Sequence, residues 1–295
     1  MIQAFKMAMK SISGNKFRAF LTMLGIIIGV MALVILVSLV SGATGTVTDT
    51  ISSLGSNLLT VTVSDDKGAP VTLDTLDEWM ADPQIGLAAP SATATATGKY
   101  SSTTKSVTVY GATPAYAPIN GQTVLLGRFL TQADVENHTS VCIITEKTAE
   151  DMVGYTDCLG EEISLDGRKF TIVGIMKNDD ESLTGILTKN SMTAYIPYTT
   201  LMRLSSTVSS TITSFSVSAP ADGNMTTTEA AMKRLLLERF EDDEDAFSLV
   251  SQNMLEDAMS SVTGILTVLL GGIAAISLIV GGIGIMNIML VSVTE

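Results

Sequence analysis

The sequence predicts a membrane protein of mixed α+β class. Two transmembrane helices bracket an extracytoplasmic domain, which is a split βαβ part carrying an inserted, mostly-β subdomain. Three observations lead there. The 295-residue chain has a mean hydropathy of +0.40 in spite of a formal net charge of -13. Its apolar residues gather at the two ends, with no charge between Arg18 and Asp49 and none between Asp257 and Glu295. The polar stretch between them alternates strand and helix patterns.

Residues 1–18 read as a cytoplasmic amphipathic helix. Ile2, Phe5, Met9 and Ile12 recur at spacings of three and four, with Lys6 and Lys10 on another face. Such a helix suits a lipid headgroup layer. Residues 19–41 form the first transmembrane helix, densest from Phe20 to Val40. A bilayer core about 30 Å thick needs roughly 20 apolar residues at about 1.5 Å each. The stretch is also longer than the usual apolar core of a cleaved signal peptide. Residues 253–294 form a stalk and the second transmembrane helix. Their uncharged run exceeds a bilayer core in length, so the helix is expected to project outward beneath the domain.

Charge sets the expected orientation. Residues 1–40 hold Lys6, Lys10, Lys16 and Arg18 and no acid, whereas residues 41–257 hold 13 bases and 29 acids. Lys and Arg beside a first span keep that end in the cytoplasm. Residues 42–257 are then extracytoplasmic, and Glu295 returns inside. So acidic an outer domain argues against nucleic acid as a partner.

Residues 42–120 are read as the first half of the βαβ part: a strand at 57–64, a helix at 72–83 stopped by Pro83, and period-two strands at 91–98 and 105–112. Residues 121–206 are the inserted subdomain. They offer strands around "VCII", "EISL", "FTIVGIM" and "AYIP" and a short helix from Thr148 to Val153. Residues 207–252 complete the βαβ part. They bring a strand at 211–220, a helix opened by a capping box of Thr226 and Glu229, and a strand at 246–251. Two βαβ units make one split sheet with helices on one face. The "TATAT" run is too weakly apolar for a strand buried on both faces, so an edge or exposed place is expected.

Chemistry-bearing motifs are sparse. There is no G-x-x-x-x-G-K-[ST] loop for a nucleotide and no G-x-S-x-G elbow. The single histidine, His138, reads as a surface residue. The acid runs Glu241–Asp245 and Asn178–Ser182 lack the glycine and spacing of a calcium loop. No catalytic, cofactor-binding or metal-binding residue is assigned. Cys142 and Cys158 lie in the outer domain, where a disulfide would persist. Bridging and two separate thiols, with Cys142 buried in "VCII", both fit the sequence.

The spans carry more information. Gly25 and Gly29 are four apart, as are Gly271 and Ala275, and Ser277 and Gly281, with Gly284 continuing the series. Small residues at that spacing let helix backbones approach. Asn287 adds an amide that would face a partner helix rather than lipid.

On these residues the chain resembles the MacB-like, FtsX-type ABC transporter permeases. Asn15–Gly42 and Ser260–Glu295 look like the first two transmembrane segments of that family. "LGSNLLTV", "LLGRFLTQADV", "FTIVGIM" and "AYIPYTTLMRL" follow in family order. The resemblance implies a porter-like βαβ part with an inserted β-rich subdomain. It implies a permease that carries the motion of a cytoplasmic ATPase to outer domains, with drugs such as macrolides, antimicrobial peptides, toxins or lipoproteins as cargo. It implies as partners a separate ABC ATPase chain that holds ATP and Mg, a second permease copy, and a membrane-fusion-type adaptor. Relatives continue past the position of Glu295 into a basic coupling segment and two more spans. The resemblance therefore implies a chain truncated after its second span, with Glu295 at the start of the coupling segment. It places the protein in a bacterial cytoplasmic membrane. The alternative is a non-transporting, peptide-sensing membrane protein of the same topology.

Overall fold

The computed structural model describes residues 16–53, 58–178, 191–221 and 223–294. Residues 1–15 of the amphipathic helix expected at 1–18, most of the acid run at 178–182, and Glu295 lie outside the described residues, while residues 16–18 belong to the first long helix. The chain divides into two units, one of residues 1–49 and 256–295, the other of residues 50–255.

The first unit is built on two long helices, α1 (Lys16–Ser53) and, at the far end of the chain, a helix spanning Gln252–Thr294. Within them, Ile27–Thr46 and Asp257–Ile283 are long and apolar enough to cross a membrane, and neither is buried by the rest of the protein. The first helix does not stop at residue 41. It runs on through "SGATGTVTDTISS" because nothing there breaks the hydrogen-bond ladder: the stretch has no proline, and Thr46 Oγ1 donates back to the Gly42 carbonyl at 3.0 Å.

The second unit contains two sheets. Four strands, β1 (Leu58–Val63), β2 (Ala88–Pro90), β10 (Ser214–Ser218) and β11 (Phe247–Ser251), form an antiparallel sheet in the order β11-β1-β10-β2. Helix α2 (Leu73–Trp79) links β1 to β2. The core under this sheet joins Trp79, Phe215, Met232, Leu236 and Phe240. Trp79 meets Phe215 with ring centroids 5.7 Å apart.

The second sheet has seven strands: β3 (Ala92–Tyr100), β4 (Thr103–Ala112), β5 (Val124–Gly127), β6 (Val141–Thr145), β7 (Glu162–Leu165), β8 (Arg168–Met176) and β9 (Met192–Pro197). Their order is β5-β8-β6-β9-β4-β3-β7, and β7 also pairs with β8. That last pairing closes six strands into a ring, leaving β5 attached outside it. Val107, Val109, Cys142, Ile144, Ile163, Phe170, Ile172 and Ile196 share the ring's core. Closure is how a small sheet removes its exposed edges.

Among the described residues, helical segments connect these strands at α3 (Tyr116–Ile119), α4 (Gln132–Glu136), α5 (Glu146–Thr148, continued by a wider turn at Ala149–Val153) and α6 (Tyr198–Leu204). Helix α7 (Met225–Arg239) links β10 to β11, and α8 is the long terminal helix Gln252–Thr294.

Two expectations need correction. The strands at 91–98 and 105–112 belong to the ring and not to the βαβ sheet. Thus the chain leaves the four-stranded sheet after Pro90 rather than at residue 121. Alternation predicts a strand but not its partner; here Val107–Ala112 lie parallel to Met192–Pro197, which comes from far along the chain. The first sheet instead uses β2, whose "AAP" is too short to signal. Next, α7 starts at Met225, capped by Asn224, whose side chain accepts from Thr226 N–H at 3.0 Å. Thr226 is therefore already inside the helix. The "TATAT" run does take the exposed place expected of it: β3 pairs along its whole length with β4 and is flanked by β7 only at Gly98 and Lys99, which leaves the threonines at 93, 95 and 97 exposed.

Candidate functional site

Among the described residues, no three His, Cys, Asp or Glu side chains could hold a metal ion. His138 adopts a φ of +50°, and its ring Nδ1 is shielded without a hydrogen-bond partner. The functional geometry lies in the helix pair and in the construction of the outer domain.

Among the described residues of α1 the half-buried positions are Gly29, Leu33, Val40 and Thr44; in α8 they include Met259, Thr263, Leu270, Ser277 and Gly281. Steps of four and seven define a seam with a 3.5-residue period, the repeat that lets two helices stay in contact over many turns. The helices run antiparallel, because Thr44 meets Thr263 while Gly29 meets Ser277. The two threonine hydroxyls are 3.1 Å apart, and a Cβ at Gly29 would stand 3.4 Å from Ser277 Cβ. Thr263, Thr267 and Ser277 also donate to carbonyls one turn back, at 2.8, 2.8 and 2.9 Å. Their polar atoms are thus satisfied within apolar helices, as a hydrocarbon environment demands.

The small residues singled out in the sequence fall on different faces. Gly29, Ser277 and Gly281 lie on the seam. Gly271 and Ala275 are exposed, and a Cβ at Gly271 would meet nothing within 4 Å. Gly25, Gly284 and Asn287 are on the helices at positions whose side-chain surroundings lie outside the described residues.

In the outer domain "GRFLTQAD" forms a polar lock. Asp134, on α4, is buried, and its carboxylate receives Arg128 Nη1 at 2.6 Å, Thr131 N–H at 2.9 Å, Thr131 Oγ1 at 2.7 Å and Thr139 Oγ1 at 3.0 Å. Burial alone would raise its pKa, but these donors together hold it well below the usual carboxylate range. Beside the lock, Gly127 and Gly174 face each other across β5 and β8 at a bulge. A Cβ on Gly174 would run into the Arg128 carbonyl, and one on Gly127 into the Val173 carbonyl. The glycines of "LLGRF" and "FTIVGIM" are therefore required by close backbone contact. Sequence reading placed these two segments in order without showing that they touch.

Cys142 and Cys158 are free thiols, both buried in the ring's core, so the bridge left open by the sequence is not formed. Burial, and to a lesser degree Cys158 itself, pushes the Cys142 thiol up. Burial likewise raises Cys158.

Comparison with known proteins follows this architecture. Residues 19–235 match the family model of the MacB-like periplasmic core domain. The whole chain is 30% identical to the macrolide export ATP-binding/permease protein MacB of Neisseria gonorrhoeae, covering 46% of that protein. It is 31% identical to the MacB of Wolinella succinogenes, again over all of this chain and 46% of the relative. The chain thus spans about half the length of the curated relatives it matches. Among solved structures, the periplasmic region of MacB from Actinobacillus actinomycetemcomitans superposes with a TM-score of 0.59 at 19% identity, over 71% of this chain and 95% of that one. The extracellular domain of the ABC-type transporter YknZ from Gram-positive bacteria gives 0.53 at 20% identity, over 66% and 100%. These two likenesses speak for the fold alone. With an outer domain of this fold set between two apolar helices and a family match over most of its length, the chain belongs to the MacB-like permeases of ABC transporters.

Proposed function

We propose that this chain is the membrane-embedded and extracytoplasmic portion of an ABC-type efflux permease, which passes motion from an ATPase in the cytoplasm to the outer domain. The observation that carries this reading is the antiparallel seam from Gly29–Ser277 to Thr44–Thr263, in a chain that matches the MacB-like family. Two helices joined along a regular seam can shift as a unit. On this reading the amino terminus is cytoplasmic, residues 42–257 are outside, and the membrane is a bacterial cytoplasmic membrane. The strand order β11-β1-β10-β2, with a helix in each connection, is read as a split βαβ porter-like part, and the ring of β3–β9 as its insertion. ATP and Mg would reside on a separate ATPase, a second copy would complete the permease, and a membrane-fusion-type adaptor would meet the outer domain. The cargo class is a drug, an antimicrobial peptide or a lipoprotein.

Affinity purification of the full-length gene product from its own membranes tests this. A P-loop ATPase is expected to copurify, and deletion of the gene is expected to raise intracellular retention of at least one such cargo. Absence of any ATPase, with unchanged retention, would overturn the reading. An altered transcriptional response with unchanged retention would instead favour a peptide-sensing protein.

A further inference from the structure

The two β parts of the outer domain leave a cleft of about 300 Å³ between them, at the small end of the range for ligand pockets. One wall is α2 and β2, with Leu73, Leu76 and Met80; the other is the 113–118 segment and α4, with Pro118 and Val135. The lining is mainly apolar and contains no basic residue. Asp77 stands in this lining, exposed, with no ion pair or hydrogen-bond partner among the described residues. Thr113 Oγ1, in the opposite wall, is shielded and also lacks a partner.

The electrostatics have one sign. Partial burial, then Asp74 on the same helix, then Glu136 on α4, push the Asp77 carboxyl above its usual range. Carboxylates of both walls therefore act on one point. An anion would be repelled there. A neutral apolar ligand would strip water from Asp77 and return nothing for it. A bare metal ion would find too few oxygens, since no three ligating side chains converge among the described residues. A cation with a hydrocarbon body relieves the repulsion and fills the apolar walls together.

We propose that this cleft binds a small apolar ammonium compound, with its charged head on Asp77 and its hydrocarbon body against Leu73, Met80 and Pro118. The proposal concerns the outer domain and holds whether or not the chain takes part in export.

The full chain in lipid nanodiscs, labelled with ¹³C-methyl methionine, tests it. The Met80 signal is identified by its loss in Met80→Leu. Hexylammonium is expected to move that signal saturably. Asp77→Asn, an isosteric change at an exposed position, is expected to weaken binding about tenfold, the worth of one charge-assisted hydrogen bond. Neutral hexanol should be weaker by a similar factor. The proposal fails if the Met80 signal does not move, or if hexanol or Asp77→Asn leaves the affinity unchanged. It also fails if the membrane-helix methionines Met23 and Met31 shift alongside it without saturation, which is partition into lipid.

Discussion

Gly29 of α1 lies directly against Ser277 of α8, with room between them for little more than one methyl group. A cysteine pair at these sites should meet the Cβ separation of about 3.5–4.5 Å that a disulfide requires. Gly29→Cys with Ser277→Cys is therefore expected to cross-link in native membranes under mild oxidant. Gly29→Cys with Gly271→Cys should not, since Gly271 faces away from the seam. Gel mobility after proteolysis of the outer domain reads the outcome.

Asp134→Asn turns one of the two acceptor oxygens into an amide NH2 and removes the charge that faces Arg128, so part of the donor set is left without an acceptor. Because Arg128 is half exposed, the loss is expected to be about 2 kcal/mol rather than the full cost of breaking a buried ion pair. The pH dependence has a definite sign. A depressed carboxyl pKa stabilises the fold above the unfolded value of about 3.9, and that stability drains away as pH falls towards the folded value. Thermal melts of the wild type should therefore weaken progressively below about pH 5. The Asn variant should start lower at neutral pH and fall less steeply in that window.

Two glycine substitutions should separate steric conflict from backbone conformation. Gly174→Ala drives a methyl into the Arg128 carbonyl and is expected to cost about 3 kcal/mol. Gly154 has a φ of +95° but open space around its Cβ position. Gly154→Ala should cost only the left-handed strain, about 1–2 kcal/mol. Denaturant midpoints of the two variants would be compared, with equal losses counting against this assignment.

The thiols of Cys142 and Cys158 are expected to resist alkylation in the folded protein, since burial holds both in the protonated form. Unfolding without reductant should release two reactive thiols, counted by mass spectrometry. A mass lower by two hydrogens, with no labelling, would show a bridge instead.

Much of this protein is written in local patterns. The two long helices follow from uncharged apolar runs, and most strands follow from period-two alternation. What the sequence withheld was pairing over distance. "KSVTVYGA" reads as a strand wherever it goes, and only its parallel match to "MTAYIP" places it in the ring. Arg128 and Asp134 lie within one short motif, yet the lock they form also takes Thr139, and the Arg128 carbonyl sits against Gly174 from a distant strand. On the helices, spacing identified small residues but not their direction: Ser277 meets Gly29 of α1 and Gly281 is half-buried, whereas Gly271 and Ala275 are exposed. Asp77 gave no signal at all, because an exposed acid on a short helix looks ordinary until the opposite wall is known.

Strand β1 follows α1 in the chain, β11 leads into α8, and the two strands pair side by side from Leu59–Ser251 to Val63–Phe247. Both tethers of the outer domain thus emerge at the same end of one antiparallel ladder. A common tug along both tethers loads the two strands equally and breaks none of the bonds between them. A sideways splay of the tethers opens the ladder rung by rung from Leu59–Ser251, as a zipper opens. The β1–β11 ladder resists a pull shared by its two ends and yields to their separation.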